Sequence, residues 1–154
     1  MAQNIGRLVK GGTRQDTFLL NVKVTTPAGA INLGAFDKKS GGELDSDEVT
    51  YYPGGMVPRI SLGGRVTPGN VTLQRIYDRF DDHAKIGALL NAVGKGTVTV
   101  TQRPMDIDGN VFGQTGIQWI GVLKRVQVPD VDSEATSAAL LEIEVTVHGN
   151  PEVV

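Results

Sequence analysis

The segment Ala138–His148 alternates cleanly from Leu141 onward. Leu141, Ile143, Val145 and Val147 fall on one side, and Glu142, Glu144, Thr146 and His148 on the other. A period of two marks a strand with one buried face, because successive side chains of an extended backbone point to opposite sides. Asp16–Val24 repeats the pattern with Phe18, Leu20, Val22 and Val24 set against Asn21 and Lys23. Gly96–Arg103 does so with Val98 and Val100 against Thr97, Thr99 and Thr101. One stretch alone carries a convincing helical period: in Asp81–Val93, Ile86, Leu89, Leu90 and Val93 recur at the spacing of a single helix face. Asp81 or Asp82 can cap its start and Gly94 can end it. This stripe, Leu90 included, is expected to lie on a sheet. The chain should therefore be mainly β: an antiparallel β-sandwich or split barrel with one flanking α-helix and a long interaction loop.

The remaining segments fit that frame. Thr26-Pro27-Ala28-Gly29 turns the first strand into a second over Ala30–Phe36. Pro58–Leu62 and Asn70–Asp78 read as strands separated by a turn at Gly63–Gly69. Asp106–Asn110 holds an Asp-Gly hairpin signal, and its partner strand Thr115–Val128 is apolar on both sides. Ile117, Trp119 and Leu123 lie on one face, and Ile120, Val122, Val126 and Val128 on the other. Two dry faces call for cover from elsewhere, such as a neighbouring subunit. No repeat or composition break divides the 154 residues, so a single domain is expected, with a flexible N-terminal arm over residues 1–15.

Composition narrows the function. With 15 basic and 17 acidic residues the net charge is −2, which disfavours tight binding to a phosphate backbone. Cysteine is absent, so thiolate nucleophiles, disulfides and Cys-type zinc sites are excluded together. No apolar run approaches the ~18 residues of a membrane helix, and MAQNIGRLVKGG lacks the apolar core of a signal peptide. The chain is expected to be soluble and unexported by itself. Gly94-Lys95-Gly96-Thr97 misses the phosphate-loop spacing and suits a helix end. Asp106, Asp108 and Asn110 begin like a calcium loop, but Val111 and Ile117 stand where the glycine and the bidentate glutamate belong. The two histidines, His83 and His148, join no Gly-x-Ser-x-Gly elbow. Arg65, Arg75, Arg79 and Arg103 lack interleaved aromatics and suit solvent or a neighbour's acidic loop. No catalytic residue, cofactor or metal is expected.

The run Phe36–Asp78 is the chain's least ordinary stretch. Lys38 and Lys39 lead into Gly41, Gly42, Glu43, Asp45, Asp47 and Glu48, then Tyr51, Tyr52 and a Pro-Gly-Gly corner. Residues 37–55 far exceed a tight hairpin of roughly two to five residues, and long ordered loops tend to bind something. Val49–Tyr52 is expected as a short extended piece within it. Pro68–Gly69 before the NVTLQR strand, with helix-starting aspartates after it, completes a pattern that resembles the tail tube (major tail) proteins of long-tailed bacteriophages. The late strand pair separated by an acidic linker resembles them too, and the likeness covers most of the chain.

That resemblance implies a structural virion protein. Its subunits would form homo-hexameric rings whose sheets join in an inner barrel, and the rings would stack into a tube that passes DNA without binding it. A tail tip or baseplate and a tape measure protein would be partners, membranes would not, and assembly would take place in the host cytoplasm. Carried over by position, Lys38, Lys39, Gly41, Gly42, Glu43, Asp45, Asp47, Tyr51 and Tyr52 would contact adjacent subunits, and the helix would lie outside the ring. Glu142 and Glu144, on the polar face of the last strand, are the lumen candidates. An inner tube of a contractile injection or secretion system is the alternative within this class. A monomeric β-sandwich binding module is the alternative outside it, although its aromatics would be few: one Trp and three Tyr.

Overall fold

The computed structural model describes residues 13–106 and 108–154. The expected N-terminal arm thus lies outside the described residues except for its last few. In chain order the elements are β1 (Phe18–Thr26), β2 (Gly29–Phe36), β3 (Lys38–Gly41), β4 (Leu44–Tyr51), β5 (Ile60–Pro68), β6 (Val71–Ile76), α1 (Asp82–Ala92), β7 (Thr97–Pro104), β8 (Ile117–Gln127), β9 (Leu140–Val147) and β10 (Glu152–Val153).

Eight strands form one antiparallel sheet in the order β2-β1-β7-β8-β9-β6-β3, with β10 beside the start of β8. Period-two patterning places Val22 and Val24 of β1, Val98 and Val100 of β7, Leu123 of β8, Ile143 and Val145 of β9, and Val71 and Leu73 of β6 in one fully enclosed core. One core fed from both halves of the sheet means that the sheet folds over on itself, as a sandwich does. It does not close into a barrel. The ends of the strand order are consecutive in sequence, with only Asp37 between β2 and β3. The Asp37 amide donates to the Gln74 carbonyl at 3.1 Å, and the Arg75 guanidinium donates to the carbonyls of Leu33 and Ala35. A side chain thus occupies edge carbonyls of β2 that a further strand would otherwise take.

Helix α1 lies against β2 and β8 and buries Leu89 and Ala92, with Ile86 and Val93 packed at the margin. Leu90 is 48% exposed, which corrects its expected place in the apolar stripe. The stripe pivots on Leu89 and is too narrow to take in the next residue. Asp81 holds the N-cap position without a side-chain cap bond. Asp82, one residue on, is fully buried and accepts from Arg75 and from the Asp78 amide, the latter at 2.9 Å. Arg75 also stacks on the Phe36 ring, 4.7 Å from its centroid. The expected surface role of Arg75 is therefore replaced by an internal staple joining β6, β2 and the first turn of α1. Gly94, at φ 80°, ends the helix as its sequence predicts.

β8 departs from simple alternation. Its register against β9 shifts between Leu123 and Arg125, so Trp119, Leu123 and then Val126 face the core. Ile120 is left 39% exposed and Ile117 42% exposed. The two-faced apolar pattern thus reflects a bulge that moves Val126 to the inner side, together with an outer residue, Ile120, that the described residues leave partly exposed.

Candidate assembly surface

The segment expected as a long loop is mostly strand. Lys38, Lys39, Ser40 and Gly41 pair with Gln74, Leu73, Thr72 and Val71. The Gly42 amide donates to the Asn70 carbonyl at 3.0 Å, and the Gly69 amide to the Glu43 carbonyl at 2.8 Å. Leu44, Asp45 and Ser46 then pair with Pro68, Thr67 and Val66. The register is the same from Lys38 to Ser46, so β3–β6 and β4–β5 form one long two-stranded ribbon. Half of it is built into the sheet, and the other half leaves as an arm. The turn expected at Gly63–Gly69 is instead strand up to Pro68: Gly63, Val66, Thr67 and Pro68 pair with Glu48, Ser46, Asp45 and Leu44, and Gly64 and Arg65 form a bulge between them.

Two glycine features shape the ribbon. Gly41 and Gly42 both adopt φ 80°, and a Cβ at Gly41 would lie 2.0 Å from the Asn70 carbonyl oxygen. Side-chain-bearing residues rarely adopt that backbone, so the glycine pair is what lets the ribbon bend at the arm's root. Farther out, Gly64 gives the extra residue needed where the register shifts opposite Asp47.

Beyond that bulge, Val49 lies opposite Leu62 and Tyr51 opposite Ile60, all four on one face. They are 47%, 47%, 54% and 48% exposed. At the tip Tyr52, Met56 and Val57 are exposed as well. β4 and β5 pack chiefly on each other, and an isolated two-stranded hairpin is marginal in water. Among the described residues, none of the body packs over this apolar cluster.

The expected site residues divide along this ribbon. Asp45, Asp47, Tyr51 and Tyr52 lie on the projecting arm, exposed. Lys38, Lys39 and Gly41 belong to β3 in the body, and Gly42 and Glu43 form the root. Lys39 points inward, its ammonium 4.2 Å from the centroid of the Trp119 ring. Burial pushes its pKa below the usual 10.5, and Glu43 opposes the shift. Residue patterning missed β5's share of the surface, Ile60 and Leu62. Their alternation with Ser61 carries the signal, although the glycines after it imitate a turn.

Glu142 and Glu144 stand on the outward face of β9 in a polar network. Glu142 accepts from Arg125 and from Gln74, the latter at 3.2 Å. Glu144 pairs with Lys124 and Arg125, each at 3.3 Å, and accepts from Asn70 at 3.4 Å. Two acids and two bases leave this patch locally neutral. Elsewhere a cleft of about 500 Å³ is lined by Phe18 and Leu20 on one side and by Asp37, Lys38, Lys39 and Ser40 on the other. No histidine borders it, and Asp37 is its one carboxylate. Among the described residues no group of three His, Cys, Asp or Glu side chains could hold a metal, and no helix is long and apolar enough to cross a membrane.

At the level of sequence, no family model and no curated protein matches the chain. Solved structures do. A chain in the 6-fold symmetrised cryo-EM structure of the anti-feeding prophage baseplate superposes with a TM-score of 0.69 at 15% identity, over 92% of this chain and 95% of that one. The fold is tail-tube-like. A chain in the extended sheath-tube complex of an extracellular contractile injection system, PVC, matches with a TM-score of 0.64 at 16% identity, over 100% of this chain and 96% of that one. The cap that terminates the anti-feeding prophage tube supplies a third, with a TM-score of 0.62 at 15% identity, over 92% and 90%. Agreement over nearly the whole length of both chains means that the tail-tube-like fold accounts for the arm-bearing sheet and the helix together.

Proposed function

We propose that this chain is a self-assembling tube subunit, whose copies close into hexameric rings and stack into a hollow conduit. The observation that carries this reading is the arm, which presents Val49, Tyr51, Ile60 and Leu62 about half exposed, with none of the described residues packed over them. A contact that repeats by rotation between identical copies closes a ring, and one that repeats by translation builds a filament. The arm is the subunit contact, with Asp45, Asp47, Tyr51 and Tyr52 on it and Lys38, Lys39, Gly41, Gly42 and Glu43 fixing its base. Glu142 and Glu144 stand in the bore wall. Paired with Lys124 and Arg125, they leave a near-neutral surface that lets a polyanion or a protein cargo slide without being held.

The contractile injection assemblies among the similar structures favour an inner tube sheathed by a contractile layer over a non-contractile phage tail. The subunit's role is structural, with tube, cap and baseplate components as partners. Electron microscopy across a concentration series, with mass measured by light scattering, tests the reading. Rings or hollow tubes of uniform width are expected, and a monomer at every concentration contradicts it.

A further inference from the structure

The arm leaves the body at two consecutive glycines in a conformation that by itself would let the ribbon swing. The body supplies one side chain at that point. Trp119 of β8 reaches the inside of the bend, where its Nε1–H donates to the Gly42 carbonyl at 3.0 Å. The fit is close, since a Cβ on Gly42 would lie 2.9 Å from Trp119 Nε1 and 3.0 Å from Val71 Cγ2. From β3, the Lys39 ammonium closes over the same ring. The indole itself is 5% exposed, held among core residues that do not move with the arm.

We infer that Trp119 is a latch: by filling the bend and binding the Gly42 carbonyl it fixes the direction in which the arm leaves the body. Without it, the root keeps its two backbone hydrogen bonds, Gly42 to Asn70 and Gly69 to Glu43, and the exposed contact of the Asn70 amide with Glu144 at 3.4 Å. The backbone bonds hold the two strands to each other, and the Asn70 contact lies on the surface, away from the buried side of the bend. A pre-aimed arm loses less conformational freedom on docking than a swinging one, so the latch favours assembly by preorganisation. This consequence rests on the tube reading, whereas the latch itself does not.

The chain has no cysteine, so spin labels can be placed at will. Ser61→Cys lies on the arm face opposite the apolar quartet, and Lys95→Cys lies on the body after α1. In the doubly labelled full chain, kept monomeric by dilution, one narrow label-to-label distance is expected. Trp119→Phe, which keeps an aromatic ring but loses the donor, should broaden and shift that distance while the circular dichroism spectrum is retained. Gly42→Ala should do the same from the other side of the contact, with Trp119 intact. Leu89→Ala, a core truncation on α1, should lower stability and leave the distance narrow. Unchanged distances in both Trp119→Phe and Gly42→Ala would overturn the latch. A broadened distance with assembly undiminished would uphold the latch and sink the arm as the subunit contact.

Discussion

Leu89 and Leu90 are neighbours on α1, yet the first is fully buried and the second half exposed. Leu89→Ala should cost about 2–5 kcal/mol, the usual range for emptying a core leucine site. Leu90→Asp should change stability by no more than roughly 0.5 kcal/mol, as surface substitutions do. Urea denaturation of the two variants checks the pair, and equal losses would contradict the placement. Periodicity located the helix, but a one-residue difference in its inner edge depends on how the helix rolls on β2 and β8, which no local pattern encodes. Arg75 was illegible for a related reason. Its partners Leu33, Ala35 and Asp82 come from two other elements, and only the assembled fold brings them together. Arg75→Met should cost about 3–5 kcal/mol by leaving the Asp82 carboxylate buried without its counter-charge. The double variant Arg75→Met/Asp82→Asn should recover part of that loss, and additive losses would show that the two do not act as a pair. Lys39 gives a pH signature. Its folded pKa lies below the unfolded 10.5, so between those values the unfolded chain binds more protons and stability rises with pH. Relative to Lys39→Met, the wild type should gain stability as pH climbs toward 10.5, and a flat difference would contradict the buried placement.

At the scale of elements, strands whose alternation runs against a single polar face were legible. β1, β7 and β9 appear where their valines and leucines predict them, because each buries one side in the common core. The arm was not. Its residues alternate too, but a strand that leaves the body has no core to give one face its apolar bias, and acidic residues and glycines then imitate a loop. Deleting Ser40–Asp47 would therefore cut into β3 and the root as well as the arm. The cleaner test replaces residues 44–68 with an Asn-Gly turn between Glu43 and Gly69, which already face each other. The thermal midpoint of this armless chain should stay close to that of the wild-type monomer while assembly is lost. A large drop in the midpoint would mean that the arm supports its own body.

At the scale of the molecule, the sheet's turn back on itself was implied by the strand count and by the want of cover for so many apolar faces. Chain order alone did not reveal that β2 would face β6 across the seam, with Arg75 occupying the carbonyls there. Under the proposed function the arm joins the body to other copies, and its apolar face lies on one of them once rings or tubes form. A photo-crosslinking side chain at Tyr51, with a second at the exposed Val131 as control, tests this most directly. In a sample shown by electron microscopy to contain rings or tubes, illumination should give a ladder of covalent oligomers from Tyr51 and far less from Val131. Monomer alone from Tyr51, in that same assembled sample, would contradict the account.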